Sequence, residues 1–311
     1  MNMEKERTEI FKRRSFGDRL NATFDFVREN CRPLFKYMTY LLLPVSLVAA
    51  FGMQGLSSFY FNAVLGSVSE TAGDAFMESE LFSMGIQFLL FILAFGFMGI
   101  LEGSIVYALM KLYSESPHGL EGITFADVKP LLKRNVGRMV LMVTVFLFVY
   151  MLAVGAMAGL AVLSPVTLVI TIPALMVSIL PLSLWTPAYL LEDLSLWSSL
   201  AKALRLGFAT WGGILGITIV IGILVNIAST VVQLPFFIVA IVKGFLFTSD
   251  DGGPTVWIDF LSYLSSVLML YGSMLISSLS LIALAYQYGH ACDKVDGVSI
   301  DLDIKHFDEK E

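Results

Sequence analysis

Glu102 is the side chain that first asks for a chemical explanation. It is the only charged residue between Glu80 and Lys111, inside the glycine-rich run GFMGILEGSIVY at 96–107. An ionised acid in the middle of a membrane helix costs about 2.5–3.5 kcal/mol on insertion scales. The expected species is a neutral carboxyl, which can both donate and accept a hydrogen bond. Gly96, Gly99 and Gly103 permit a close helix neighbour to supply the partner. Ser266, Ser273, Ser277 and Ser280, at spacings of seven, four and three, share one helix face. Asn226 and Gln233, seven apart, share another. Glu102, Ser273, Ser277, Ser280, Asn226 and Gln233 therefore form a candidate intramembrane polar site. Two uses suit it: a proton or ligand site, or structural glue between helices. Small hydroxyls do the second by bonding neighbours or their own backbone, so both readings stay open.

Other chemistry finds no support. His118, His290 and His306 lack metal-ligand spacing, and His290 with Cys292 is a lone pair. No phosphate loop, dinucleotide fingerprint or nucleophile elbow occurs. TSDDGGPTVWID at 248–259 reads as a tight turn and lacks the full calcium-loop pattern. No catalytic, cofactor-binding or metal-binding residue is assigned, no cofactor is expected, and the chain is read as not an enzyme.

The elements that position these residues follow from composition. The chain is 57% hydrophobic and 15% charged, against about 25% charged in soluble domains. Its apolar runs exceed the roughly 20 residues that cross a bilayer. Six spans are expected, at about 34–53, 82–112, 138–162, 166–191, 211–234 and 258–287. Residues 139–191 carry no charge, too long a run for one crossing, and Ser164-Pro165 is the expected break. The fold class is thus an all-α integral membrane protein. The first 30 residues lack an apolar signal region, so no cleaved signal peptide is expected.

Charge sets the orientation. Lys243 alone among the 20 lysines and arginines falls on one side of the expected membrane. The positive-inside rule puts both termini in the cytoplasm, at the inner membrane. Glu70, Asp74, Glu78, Glu80, Asp250, Asp251 and Asp259 then lie outside, read as a solvated acidic face, with a cation-attracting vestibule or metal site as the alternative. Cys31 and Cys292 fall on the cytoplasmic side, so no disulfide is expected.

Each pair of spans follows a short amphipathic segment. Before the first span, Phe16, Leu20, Phe24, Val27 and Cys31 form an apolar stripe. Before the fifth, Leu196, Leu200, Leu204, Phe208 and Trp211 do so, with Ser199, Lys202 and Arg205 opposite. Before the third, Phe125, Val128, Leu132 and Val136 make a shorter version. A shift of 180 residues pairs Ser15 with Ser195 and Leu20 with Leu200. The expectation is one membrane domain over 1–292, built from three parallel units at about 15–115, 123–193 and 195–292, followed by an acidic tail at 293–311. Each unit is expected to begin with an interfacial helix whose apolar stripe lies at the headgroup boundary while Lys and Arg meet anionic lipid, as Trp197 and Trp211 suit; packing under the bundle as a cytoplasmic elbow is the alternative.

The stretch EDLSLWSSLAKALRLGFATWGGILGITIVIGILVNI resembles a group of bacterial six-span membrane proteins. That group includes the membrane domain found ahead of the catalytic domain in some glycerophosphodiester phosphodiesterases. The resemblance rests on an Ala-Leu-rich amphipathic helix with basic residues before an aromatic and an apolar span, as in Lys202, Ala203, Leu204, Arg205 and Trp211. It implies the six-span fold over about 15–292 and carries over no activity and no site residue. The function expected is non-enzymatic: organising or handling lipid, or a membrane partner. A small transporter or channel for an apolar or amphipathic substrate, with Glu102 as its proton or ligand site, is the alternative. Anionic lipid headgroups, a membrane-protein partner or a second copy are the expected associates, and nucleic acid is not.

Overall fold

A computed structural model describes residues 9–65, 74–116, 119–248 and 256–298. Glu70, Asp250, Asp251, His118, His306 and the tail beyond Val298 lie outside them, as do the side chains of Asp74, Glu78 and Glu80. The described chain is mostly helical: α1 Phe16–Leu65, α2 Asp74–Glu115, α3 Phe125–Leu163, α4 Leu168–Leu182, α5 Trp185–Leu191, α6 Leu196–Ala209, α7 Trp211–Thr248 and α8 Val256–Asp296. Among the described residues, six stretches are long and apolar enough to cross a membrane: parts of α1, α2 and α7, the whole of α3 and α8, and Pro165–Leu191. The chain is therefore an all-α, multi-pass membrane protein.

Two compact units divide it. The first comprises Met1–Leu34, Gly103–Ile223 and Ser278–Glu311; the second comprises Phe35–Glu102 and Leu224–Ser277.

In the first unit, three helix starts follow one scheme. Ser15, Thr124 and Ser195 stand at the helix entrances. Ser15 Oγ accepts from the Asp18 N–H at 3.2 Å, and Ser195 Oγ from the Ser198 N–H at 3.3 Å. Thr124 donates its own N–H to Asp127 at 2.9 Å. Each arrangement satisfies backbone donors that a helix start leaves open. Counting on from each entrance by four, eight, eleven and fifteen residues reaches Arg19, Thr23, Phe26 and Asn30; Val128, Leu132, Asn135 and Met139; Ser199, Ala203, Leu206 and Thr210. All twelve are buried.

The fifteenth position also breaks two of the helices. Asn30 has φ −114°, ψ 19° inside α1, and Thr210 has φ −123°, ψ 23° between α6 and α7. Asn30 Nδ2 donates to Phe26 O at 2.9 Å and Thr210 Oγ1 to Leu206 O at 2.8 Å. Pro33 explains the first break, because its ring collides with the carbonyl four residues back. Segment 125–138, expected as a separate interfacial helix, is instead continuous with the third span in α3. No break residue intervenes, and Pro130 is accommodated inside the helix.

The expected break at Ser164 is present. Ser164 is extended (φ −157°, ψ 117°), and Pro165 starts a short 3-10 turn. The fifth span is longer than expected: α7 continues beyond residue 234 and through Pro235 to Thr248. A membrane helix tolerates the one lost backbone bond where neighbours re-satisfy it.

α6 packs on α4 and α5 through its small-residue face. A Cβ at Gly207 would lie 2.5 Å from Pro181 Cα, so only glycine allows this approach. Trp185 Nε1 donates to Ser199 Oγ at 3.0 Å. Of the expected stripe, Phe208 is 57% exposed while Leu196, Leu200, Leu204 and Trp211 are half-buried; Trp197, outside that stripe, is 64% exposed. In α1 likewise Arg19, Ala22, Thr23 and Phe26 are buried while Phe16 and Phe24 stay exposed.

Candidate functional site

The intramembrane residues singled out from the sequence separate into pairs. In the second unit, Glu102 is 6% exposed and accepts a hydrogen bond from Ser277 Oγ at 2.6 Å. The same hydroxyl lies 3.0 Å from Met274 O, its own backbone. Gln233 Nε2 donates to Ser273 Oγ at 3.3 Å. Gln54, which sequence reasoning passed over, donates to Ser262 Oγ at 3.1 Å and Ser266 Oγ at 3.0 Å. The serine face of α8 thus supports several separate bonds and not one polar lane. Each bond satisfies a group that would be costly alone in hydrocarbon.

Two residues drop out of the expected set. Asn226 is exposed, whereas Gln233, seven positions on, is half-buried. A helix of 3.6 residues per turn drifts about 20° over seven positions, which lets one residue turn outward near a contact edge. Ser280 belongs to the first unit and forms no side-chain bond with the others among the described residues. Lys243, the lone cation of its side, is 3% exposed and pairs with Asp259 at 2.8 Å.

In the first unit the polar centre is Glu192-Asp193, at the end of α5. Glu192 Oε2 meets Lys202 Nζ at 2.5 Å, and Oε1 accepts from Tyr288 Oη at 2.7 Å and Cys292 Sγ at 3.5 Å. Asp193 meets Lys111 at 2.5 Å and Arg134 at 2.6 Å. Arg138 lies 3.9 Å from the same carboxylate and 3.9 Å above the Tyr189 ring, and it donates to Tyr189 O. Asp193 is the only non-glycine residue with positive φ (57°) among the described residues, and Asp tolerates that conformation better than most. Burial disfavours its charge, but the bonds from Lys111 and Arg134 outweigh that and hold its carboxyl below the ordinary range. The sequence signal was available: an acidic pair closing a charge-free run, with the cations of 111–138 and 202–205 on its own side.

Lys202 and Arg205 have carboxylate partners within the protein. Lys202 meets Glu192 and lies 3.8 Å from Asp296, and Arg205 meets Asp296 at 2.8 Å. Cys31 and Cys292 are both free thiols. Among the described residues, no group of three or more His, Cys, Asp or Glu side chains could hold a metal ion.

No family model, curated protein or solved structure matches the chain.

Proposed function

We propose that this chain is a non-enzymatic protein of the inner membrane that organises or handles lipid, with both termini cytoplasmic. One observation carries the reading. On the two amphipathic segments Phe26 and Leu206 pack inward together with small and polar residues, whereas Phe16, Phe24, Trp197 and Phe208 remain exposed. Aromatic side chains turned outward beside a charge-rich set of helix ends suit the lipid interface. The shared placement of Ser15, Thr124 and Ser195 before four matching buried positions supports a three-unit repeat of amphipathic entry and two spans. A relationship to the six-span group named above belongs to the same reading. The test is purification in mild detergent with mass spectrometry of retained lipid and protein. Lipid held in stoichiometric amount supports the reading; a stripped protein, or one retaining only a protein partner, removes the lipid role.

A second reading has its own observation. Glu102, 6% exposed and bonded to Ser277, suits a proton or ligand site of a small transporter. Proton flux into liposomes that is lost in Glu102→Gln would favour it.

A further inference from the structure

The N-terminal strap builds a basic cleft beside α8. Residues 9–14 lie along that helix because Gly289 lets them: a Cβ there would meet Ile10 O at 2.0 Å. Ile10 is 2% exposed, and Phe11 packs edge-on against Tyr288 at 6.3 Å. The Arg13 N–H donates to Asp293 Oδ2 at 2.8 Å, and the Arg14 N–H to His290 Nδ1 at 3.1 Å. The cleft so formed, of about 570 Å³, is lined by Arg13, Arg14, Ser15, Phe16, Arg19, His290 and Lys294.

Its charge is one-sided. Four lining side chains are cationic and none is acidic. The nearest carboxylates are engaged: Asp18 with Ser15, Asp293 with the Arg13 N–H, and Glu9 with Lys12 at 3.8 Å. Because His290 Nδ1 accepts a bond, its Nε2 carries the proton and is a donor. Among the described residues, no carboxylate reaches salt-bridge distance of Arg13, Arg14, Arg19 or Lys294.

Arg19 is the telling residue. It is 6% exposed, yet its bonds go to Ser15 O and Gln287 Oε1, neither of them charged. Buried charges are normally paired. The equivalent positions after Thr124 and Ser195 are Val128 and Ser199, so the packing scheme does not need a cation there. Arg19 is an addition to that scheme, placed where it faces the cleft. Guanidinium groups suit phosphate by shape as well as charge.

We propose that this cleft binds the phosphate of an anionic lipid headgroup, with exposed Phe16 beside the acyl chain. The choice of lipid as the source of phosphate rests on the lipid-handling reading; the phosphate chemistry does not.

Native mass spectrometry of the full chain in detergent, titrated with phosphatidic acid or phosphatidylcholine, tests it. The wild type should prefer phosphatidic acid. Arg13→Gln/Lys294→Gln, which changes two exposed side chains, should weaken that binding by about tenfold or more, the order expected for two interfacial cations. Lys129→Gln/Lys133→Gln, two exposed cations away from the cleft, should leave it unchanged. Arg19→Gln should abolish the preference, with thermal unfolding as its folding control. Glycerol 3-phosphate should fail to displace the lipid; displacement would assign the cleft to soluble phosphate esters and overturn the lipid source. Equal binding by the wild type and Arg13→Gln/Lys294→Gln overturns the cleft, as does equal weakening in the Lys129/Lys133 control. A wild type that retains lipid with no headgroup preference removes the cleft and leaves the general lipid reading standing. A wild type that retains none removes both.

Discussion

The two units solve the same problem with different chemistry. Among the described residues, every ion pair except Lys243–Asp259 belongs to the first unit. Glu192, Asp193 and Asp296 there collect cations and hydroxyls from four helices. The second unit relies mainly on neutral amide and hydroxyl bonds, such as Gln54–Ser262 and Gln233–Ser273, and on glycine contacts. A Cβ at Gly52 would lie 2.8 Å from Gln87 O. The contrast follows from solvent. Ionised pairs hold where water or headgroups share the desolvation cost, and small-residue packing with neutral bonds holds where they cannot. Substitutions should therefore fail differently in the two units.

The largest effect is expected at Glu192. Glu192→Ala leaves Lys202, Tyr288 and Cys292 without their shared acceptor. Breaking a mostly buried charged network by removing one member costs about 3 kcal/mol. Thermal unfolding in detergent should show a lowered midpoint, and Glu192→Gln should recover part of it.

Gly207→Ala comes next. Its Cβ would meet Pro181 backbone at 2.5 Å, and backbone cannot give as a side-chain tip can. Overpacking of this kind costs about 1–3 kcal/mol. Gly212→Ala, with nothing within 4 Å, should be neutral or stabilising in the same assay.

Glu102→Gln should cost about 1 kcal/mol or less, because the amide can still accept from Ser277. A large loss of stability would mean that the second unit depends on this acid as the first depends on Glu192, and the contrast would fail.

Asp193 should give the smallest and the most pH-dependent change. Its depressed carboxyl contributes stability that is present above the unfolded value of about 3.9. That contribution is lost as pH falls through the still lower folded value. Asp193→Asn keeps a residue that tolerates positive φ and removes the charge. Its unfolding midpoint should lie below wild type at pH 7, and the gap should close in acid.

The six spans were legible because an apolar run of sufficient length has few other readings. The Ser164 break was legible from Pro165. The exposed aromatics Phe16, Phe24 and Phe208 were members of the expected stripes, but which face packs was not legible. In water the apolar face of a helix is its packing face; in a bilayer lipid takes that face and small or polar residues pack. Ser199, expected on the polar face, and Ala203, Leu206 and Gly207, which the expected stripe left out, are therefore the buried residues of α6. Glu102 stood out because charge is rare in its run. Its partner Ser277 was one of four serines that spacing alone could not separate, and Asn226 shows how a seven-residue spacing misleads near a contact edge. The Glu192-Asp193 centre was hidden because its cations arrive from separate helices. The early kink needed Pro33 and Asn30 to be read together.

The proposed lipid role requires that the exposed aromatics Phe24 of α1 and Phe208 of α6 face lipid while Ala203 packs on protein. Spin labels at Phe24, Phe208 and Ala203 in lipid nanodiscs test it in one experiment. The account predicts high oxygen and low aqueous-nickel accessibility at Phe24 and Phe208, and immobilised, inaccessible labels at Ala203. Aqueous-nickel accessibility at Phe24 and Phe208 equal to that of a soluble helix surface would contradict it.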